Sequence, residues 1–253
     1  MGFLHPGHAS LARRARTECD VVVVSIFVNP TQFGPGEDFA SYPRDLDRDL
    51  AILAAEQADI VFAPEASEFY PSGAATSVVV GGAAEPLEGA YRPGHFRGVA
   101  TVVAMLFNAV RPDVAYFGEK DWQQLQVVRR LVRDLHLPLE IVGVPTMRES
   151  DGLAMSSRNV RLGPVDRAQA LCVPRALEAA RNAYTAGERS PRLLERAMAD
   201  VLAREPAVRP DYAVVVDAHT LRPIDEATDE SRALIAARVG TVRLIDNSAL
   251  AAG

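Results

Sequence analysis

The sequence predicts an α/β fold in which a doubly wound parallel sheet is followed by a smaller α+β domain. Residues 20–28, DVVVVSIFV, form a β-branched run that is apolar on both faces, as in the buried strands of parallel sheets. Strand and helix patterns then alternate as far as about residue 145, which is typical of parallel sheets covered by helices. Beyond that point the chain turns to Ala- and Arg-rich helices, so we divide it into domains over 1–146 and 147–253.

The first domain begins with a predicted helix, followed by the strand that ends at Asn29-Pro30. A Gly- and Pro-rich loop leads to a second helix, whose first residue, Pro43, is tolerated at a helix start. In order, the predicted elements are helix 8–18, strand 20–28, helix 43–56, strand 58–64, helix 94–110, strand 113–118, helix 120–135 and strand 139–144.

The second domain opens with a polar loop and continues as a smaller mixture of helices and strands. Its predicted elements are loop 148–159, helices 165–186 and 190–204, strand 212–218, a helix near 231–238 and strand 241–246. This order does not continue the β–α alternation of the first domain, which is why we expect a separate α+β unit.

Composition excludes several classes of protein. Of 253 residues 48% are apolar and 24% are charged, as in ordinary globular proteins. The net charge of −6 is opposite to that of a non-specific nucleic-acid binder, so we expect no nucleic-acid partner. No segment reaches about 18 apolar residues, so we expect no membrane span. Two cysteines, Cys19 and Cys172, cannot form a disulfide framework or a zinc site by themselves.

The first candidate motif is MGFLHPGH at residues 1–8, directly ahead of a predicted helix. A helix N-terminus offers free N–H groups and partial positive charge to an anion, and Gly7 permits close approach of a phosphate. His5 and His8, three residues apart, can donate to phosphoryl oxygens as charge develops there. The alternative is a loop with two solvated histidines.

The second motif, SIFVNPTQF, follows the end of the strand over 20–28. Ligands of open α/β sheets bind outside the carboxyl ends of strands, so Asn29 and Gln32 are candidate groups for a small polar substrate. The alternative is ordinary turn formation at Asn-Pro.

The third motif, FGEKDWQQL, follows another strand and opens a helix. Gly118 permits close approach, Lys120 supplies a point charge for phosphate, and Asp121 is a candidate for a ribose hydroxyl. Gln123 and Gln124 follow in the first turn. The alternative is an N-capped surface helix.

The fourth motif, LAMSSRN at 153–159, places Ser156, Ser157 and Arg158 on the loop between the domains, where they are candidates for a mobile phosphate clamp. Helix capping by the two serines is the alternative.

Two further residues are candidates for binding a ligand. His95 lies at a predicted helix start near two arginines and is a candidate to line the site, whereas His136 and His219 are interpreted as structural or surface residues. Asp49 is a candidate for a Mg²⁺ carried by a nucleotide, although the stretch 45–49 is also typical of a solvated helix face.

In this order the four motifs resemble the pantothenate synthetase (pantoate–β-alanine ligase) family, within the HIGH/KMSKS nucleotidyl-transfer superfamily. The likeness also includes GAYRPGHFRGVATVV (89–103), VVDAHTLRPI (215–224) and AARVGTVRLID (236–246). The resemblance implies a Rossmann-like first domain that binds nucleotide and pantoate, and a second domain that acts as a lid. It implies a ligase of pantothenate biosynthesis that joins pantoate to β-alanine through a pantoyl adenylate, uses ATP and Mg²⁺, and releases AMP and pyrophosphate. It further implies a cytoplasmic homodimer.

The resemblance also implies roles for individual residues. His8, His5, Lys120 and Arg158 are expected to be catalytic, and Gln32, Gln124 and His95 to bind pantoate or β-alanine. ATP is expected to lie along Met1, Gly2, Phe3, Leu4, His5, Pro6, Gly7, His8, Gly118, Glu119, Lys120, Asp121, Met147, Met155, Ser156, Ser157 and Arg158.

Two features depart from the family pattern. Members of the family carry a strand, a helix and a further strand ahead of the first motif, so we expect the first strand of the sheet to be missing here and the chain to be less stable without it. The family often has paired acidic residues where this chain has Arg48-Asp49, so Asp49 is only a weak candidate for the metal.

Two other functions remain open at this point. One is a nucleotidyltransferase that keeps the nucleotide on its product, such as a cytidylyltransferase, although the NPTQF and EKDWQQL pair is not expected there. The other is a nucleotide-binding protein without turnover.

Overall fold

The structure is a computed structural model that describes residues 2–251, and it contains two compact units. The first unit runs up to Glu119 and resumes over Gln123–Pro145, and the second comprises Lys120–Trp122 and the chain from Thr146 onward. The assignment of 1–146 and 147–253 as functional domains stays a prediction.

The first unit alternates helices with short strands. In chain order they are α1 (Pro6–Glu18), β1 (Val23–Ser25), α2 (Leu46–Ala55), β2 (Ile60–Phe62), α3 (Ala66–Phe69), α4 (Glu88–Tyr91), α5 (His95–Val110), β3 (Val114–Gly118), α6 (Trp122–Asp134) and β4 (Glu140–Val144). Short 3₁₀ turns cover Pro30–Gln32, Gly82–Ala84 and Glu119–Asp121.

The strands of the first unit pair in parallel, which confirms the predicted α/β class. Val23 of β1 lies opposite Ile60 of β2, and Val114 of β3 lies opposite Glu140 of β4. Among the described residues, β1 pairs with β2 and β3 with β4, each in a two-stranded ladder. The strands are shorter than the sequence predicts, because their apolar runs extend past the paired residues into the connecting loops.

The second unit is built on an antiparallel sheet. Its elements are a 3₁₀ turn (Ser157–Arg161), α7 (Pro164–Ala170), α8 (Cys172–Thr185), α9 (Pro191–Leu202), β5 (Val208–Asp217), β6 (Ser231–Val239) and β7 (Val242–Ala249). The strand order is β5-β6-β7. The core lies where α8 and α9 pack on the sheet, with Leu194, Met198 and Ile235 fully buried.

Two predicted elements of this unit differ in the structure. The helix predicted near 231–238 is wrong, because Ser231–Val239 is the central strand of the sheet. All but one of the residues of this strand are buried, so apolar and polar residues do not alternate along it. Without that alternation, its alanine-rich sequence fits a helix as well as a strand. The helix predicted over 165–186 is divided at Leu171, and Pro174 follows in the first turn of α8, where a missing N–H is tolerated.

None of the helices in the described part of the chain has the length and apolar character that crossing a membrane requires.

Candidate active site

His5 and His8 lie together at the start of α1. His5 is the N-cap residue, and its main-chain N–H donates to Nδ1 of His8 over 3.3 Å. The two rings are 3.9 Å apart between centroids, and both side chains are half-buried. Because Nδ1 of His8 accepts, Nε2 carries the proton of the neutral ring. The first motif therefore presents a defined N–H donor beside the N-terminus of a helix, where anions bind favourably.

A buried carboxylate holds the loop that precedes this pair. Asp49, which is 1% exposed, accepts the main-chain N–H groups of Phe3 and Leu4 at 2.7 and 2.6 Å. The guanidinium of Arg48 lies over the Phe3 ring, 4.5 Å from its centroid. Both oxygens of Asp49 thus serve the loop of the first motif, and its role as a metal ligand stays a prediction.

Gln32 ends a turn that Asn29 organises. Asn29 is 2% exposed, and its Nδ2 donates to Oε1 of Gln32 and to the carbonyl of Gly98, each over 3.2 Å. Its Oδ1 accepts from the hydroxyls of Thr31 and Tyr70 at 2.9 and 2.8 Å. Asn29 therefore acts within the protein rather than toward a ligand, and it fixes one end of the Gln32 amide.

The same turn packs directly on α5. A Cβ at Gly98 would lie 2.3 Å from the carbonyl oxygen of Thr31 and 2.7 Å from Cα of Gln32. Any side chain at this position would push the Gln32 turn away from the helix, because atoms do not approach so closely without displacement.

His95 at the start of α5 is tied to Gln32. Its Nδ1–H donates to the carbonyl of Gln32 at 2.8 Å, and its Nε2 accepts from Nη1 of Arg92 at 3.2 Å, since a guanidinium can only donate. His95 is 9% exposed. Burial, together with the positive charge of Arg92, lowers the pKa of His95 to about 4, so the ring is neutral near pH 7.

An ion pair that the sequence analysis did not single out supports His95. Arg92 donates to both carboxylate oxygens of Glu37, at 2.8 and 2.7 Å. Burial by itself raises the pKa of Glu37, but the hydrogen bonds and charge of Arg92 outweigh it and hold that pKa below its ordinary value. Glu37 lies in a Gly- and Pro-rich loop that has no regular sequence pattern, so nothing in the sequence identified it as the partner of Arg92. The only available signal was that Arg92 lies close to His95 in the sequence.

The two glutamines of the third motif differ. Gln123 is buried, donates to the carbonyls of Ala83 and Pro86 at 2.8 and 2.7 Å, and accepts from the N–H of Glu88 at 3.0 Å. Its amide therefore ties a loop to α6. Gln124 is half-buried and makes no side-chain hydrogen bond within the described part of the chain, so its amide is available to a ligand.

Lys120 and Asp121 lie in the 3₁₀ turn that follows β3, after the half-buried Gly118 and Glu119. The Lys120 ammonium lies 3.5 Å from a carboxylate oxygen of Asp121. In the structure Lys120 belongs to the second unit, although it stands between two elements of the first.

The residues of the fourth motif lie at the end of a small loop in the second unit. The N–H of Met155 donates to the carbonyl of Met147 at 2.9 Å, which closes the loop. Arg148 donates to both oxygens of Asp246 on β7, at 2.7 and 3.0 Å. Ser156 caps the following turn by accepting from the N–H of Arg158 at 3.2 Å, and Ser157 is buried. Ser156 therefore forms the cap that was the alternative interpretation of this motif.

The structure brings the predicted residues together in small groups within each unit. In the first unit His5 contacts His8, and Gln32 contacts His95. In the second unit Lys120 contacts Asp121, and Met147 contacts Met155. Met1 lies outside the described residues. Across residues 2–251 no three His, Cys, Asp or Glu side chains cluster so as to hold a metal ion.

Comparisons with known proteins give one consistent result. A model of the pantoate-beta-alanine ligase family matches residues 1–249. A pantothenate synthetase of Deinococcus radiodurans is 60% identical over 257 residues, which cover 99% of this chain and 91% of the relative. A pantothenate synthetase of Geobacter sulfurreducens is 55% identical over 250 residues, which cover 99% of this chain and 88% of the relative.

Solved structures agree with the sequence relatives. The crystal structure of pantothenate synthetase from Thermus thermophilus superposes with a TM-score of 0.97 at 52% identity, over 100% of this chain and 91% of that one. The pantoate-beta-alanine ligase of Francisella tularensis was solved with beta-gamma ATP and beta-alanine. It has a TM-score of 0.82 at 35% identity, and the match covers 100% of this chain and 88% of that one.

Proposed function

The chain belongs to the pantoate-beta-alanine ligase family, and from this premise we propose how its residues carry out the family's reaction. The enzyme condenses (R)-pantoate with β-alanine in an ATP-dependent reaction that forms pantothenate. Pantoate's carboxylate attacks the α-phosphorus of ATP, which gives pantoyl adenylate and pyrophosphate. The amine of β-alanine then attacks the acyl carbon, and AMP leaves.

We propose that the first motif stabilises the charge that develops on the phosphates. The Nε2–H of His8 is held in a defined direction by the bond to its Nδ1, so it needs little reorganisation to donate to a phosphoryl oxygen. His5, Lys120 and Arg158 are proposed to supply further donors and positive charge, and residues 1–8, Gly118–Asp121, Met147 and Met155–Arg158 to line ATP. Adenylyl transfer depends on such positioning rather than on a protein nucleophile.

Gln32 and Gln124 are proposed to bind pantoate, whose hydroxyl groups need both donors and acceptors. The Gln32 amide accepts from Asn29 through Oε1, which leaves its Nε2 to donate. His95 is proposed to act beside them as a neutral, fully bonded ring that fixes the Gln32 carbonyl.

The metal is proposed to enter as part of the substrate. Mg²⁺ binds the phosphates of ATP and takes few protein ligands. When bound, it neutralises phosphate charge. The homodimer and the cytoplasmic location implied by the resemblance stay predictions.

The observation that carries the residue assignment is the bonded His5–His8 pair at the start of α1. The test incubates the purified chain with ATP, Mg²⁺ and pantoate, with and without β-alanine, and follows pyrophosphate, AMP and pantothenate. We expect pyrophosphate in both mixtures, and AMP with pantothenate only when β-alanine is present. A released product that keeps the nucleotide even when β-alanine is present would instead indicate a nucleotidyltransferase, and binding of ATP without turnover would indicate a nucleotide-binding protein.

A further inference from the structure

Three contacts bind the segment Lys120–Trp122 to the sheet of the second unit. The carbonyl of Lys120 accepts from Nδ2 of Asn247 at 2.8 Å. Nε1–H of Trp122 donates to the carbonyl of Ala218 at 2.6 Å, and the Arg232 guanidinium lies over the Trp122 ring, 3.4 Å from its centroid. A segment that follows β3 and includes the first residue of α6 is therefore held by β6, by β7 and by the residue that follows β5.

Asn247 connects these contacts. It lies on β7 and is 4% exposed, and its Oδ1 accepts from Nε of Arg232 at 2.6 Å while its Nδ2 serves Lys120. The oxygen of the Asn247 amide thus binds the Arg232 guanidinium, and its nitrogen binds the main chain of Lys120. A buried amide bonded at both ends has one favourable orientation, so it fixes the distance between the groups it joins.

The backbone position matters because the Lys120 side chain is long and flexible. An ammonium on four rotatable bonds stabilises a phosphate efficiently only when its Cα is held in place, and a displacement of about 1 Å can cost as much as about 100-fold in rate. This argument rests on the proposed role of Lys120 in adenylation. We propose that Asn247 is a positioning residue for that step, acting through its hydrogen bond to the Lys120 carbonyl.

Asn247→Asp is the most informative variant. It keeps an oxygen for Arg232 but removes the donor to Lys120, whereas Asn247→Ala removes both contacts. Arg243→Ala is the matched control, because it breaks a different polar contact of the same sheet, the 2.7 Å ion pair of Arg243 with Asp211. Steady-state pyrophosphate release is measured for each with ATP and β-alanine in excess and with pantoate varied, which gives kcat and the KM for pantoate.

We expect both Asn247 variants to lower kcat by about 10- to 100-fold, with the KM for pantoate changed by less than about twofold. Arg243→Ala is expected to stay within about twofold of the unmodified enzyme. In a Lys120→Ala background, Asn247→Asp is expected to add almost nothing, since residues that act as a unit are not additive. Asn247→Asp is the variant to compare should Asn247→Ala fail to fold.

Trp122 supplies a readout that does not depend on activity. It is the single tryptophan of the chain, so fluorescence excited selectively at tryptophan, away from the absorption of the tyrosines, reports on this segment. We expect red-shifted emission and stronger acrylamide quenching in the Asn247 variants and unchanged emission in Arg243→Ala.

The outcomes separate the two proposals. An unimpaired Lys120→Ala enzyme would remove Lys120 from the chemistry and the proposal for Asn247 with it. If Lys120→Ala is impaired but Asn247→Asp retains full kcat and fluorescence, or if the two losses multiply, Asn247 does not act through Lys120 and only the inference about Asn247 fails.

Discussion

Asp49 and Leu4, 45 residues apart in the sequence, are joined by a 2.6 Å hydrogen bond from the main-chain N–H of Leu4 to Oδ1 of the carboxylate. Leu4 is fully buried and Asp49 nearly so. The bond lies immediately before His5, so the acidic residue proposed from the sequence as a weak metal ligand is a structural support of the first motif.

The first prediction follows from this bond. Asp49→Asn replaces one of two acceptors by an NH₂ group that faces a main-chain N–H, so it leaves a buried donor unpaired. We expect a loss of about 1–3 kcal/mol in the free energy of unfolding, measured by urea titration. Asp47→Asn, on the exposed side of the same helix, is the control and is expected to change little.

The same variant tests the metal assignment. If Asp49 acts only by holding the loop, raising the Mg²⁺ concentration will not restore pyrophosphate release in Asp49→Asn. Recovery of the rate at high Mg²⁺ would instead show that Asp49 contributes to metal binding.

The second prediction concerns His8. His8→Ala removes the Nε2–H donor from the start of α1, and we expect the adenylation half-reaction to slow by roughly 10²–10³, the usual loss for one preorganised donor. Pyrophosphate release from ATP and pantoate, without β-alanine, measures this step. His219→Ala, at an exposed turn, serves as the control. A full rate in His8→Ala would exclude His8 from the chemistry.

The third prediction separates the pantoate groups from the ATP groups. Gln32→Ala and Gln124→Ala are each expected to weaken pantoate binding by about 1–3 kcal/mol and to leave ATP binding nearly unchanged, because a substrate hydroxyl loses its partner. Separate titrations with the two ligands measure this. Gln123→Ala is an informative comparison, since Gln123 bonds only within the protein and should lower stability rather than pantoate affinity. Equal losses for both ligands would mean that Gln32 and Gln124 only shape the fold.

The fourth prediction is a pH dependence of stability that originates at His95. The pKa of His95 is about 4 in the folded protein, against 6.5 as its ordinary value. Between these values the unfolded chain binds more protons, so the free energy of unfolding falls as the pH is lowered through this range. We expect a loss of about 2 kcal/mol between pH 7 and pH 5 from this residue, measured by urea titration at each pH.

His95→Gln provides the control for this effect. It is expected to be less stable at pH 7, because a bond is lost, but to show a smaller difference between pH 7 and pH 5. The carboxylates with lowered pKa values, such as Glu37, titrate below this window and do not produce the effect. If both proteins lose stability equally between the two pH values, another group is responsible.

The parallel part of the fold was predictable because its strands and helices carry distinct periodicities. The sheet of the second unit was only partly predictable. Its strand β6 is buried along nearly its whole length, and the run ALIAA within it fits either a strand or a helix. Tertiary pairing with β5 and β7 decides between them, and no local pattern contains that information.

The candidate site shows the same division. His5, His8 and Gln32 could be proposed as site residues because they lie at element ends, where ligands of α/β folds bind, and their roles stay predictions. The supports of the site did not follow, because Asp49 and Asn247 act on main-chain groups 45 and 127 residues away in sequence. A hydrogen bond to a main-chain group can form whatever side chain the partner residue carries. The identity of the partner residue therefore does not reveal the contact in a single sequence.

The tight β6–β7 connection also has a consequence for how the protein reaches its folded state. Val239 pairs with Val242, so only two residues separate these strands, whereas 34 residues lie between Ser25 and Ile60 in the parallel pair β1–β2. Closing a short loop costs little chain entropy, and antiparallel hairpins form in microseconds. We therefore expect amide protons of β6 and β7 to become protected early in refolding, and those of β1 only after its longer loop has closed.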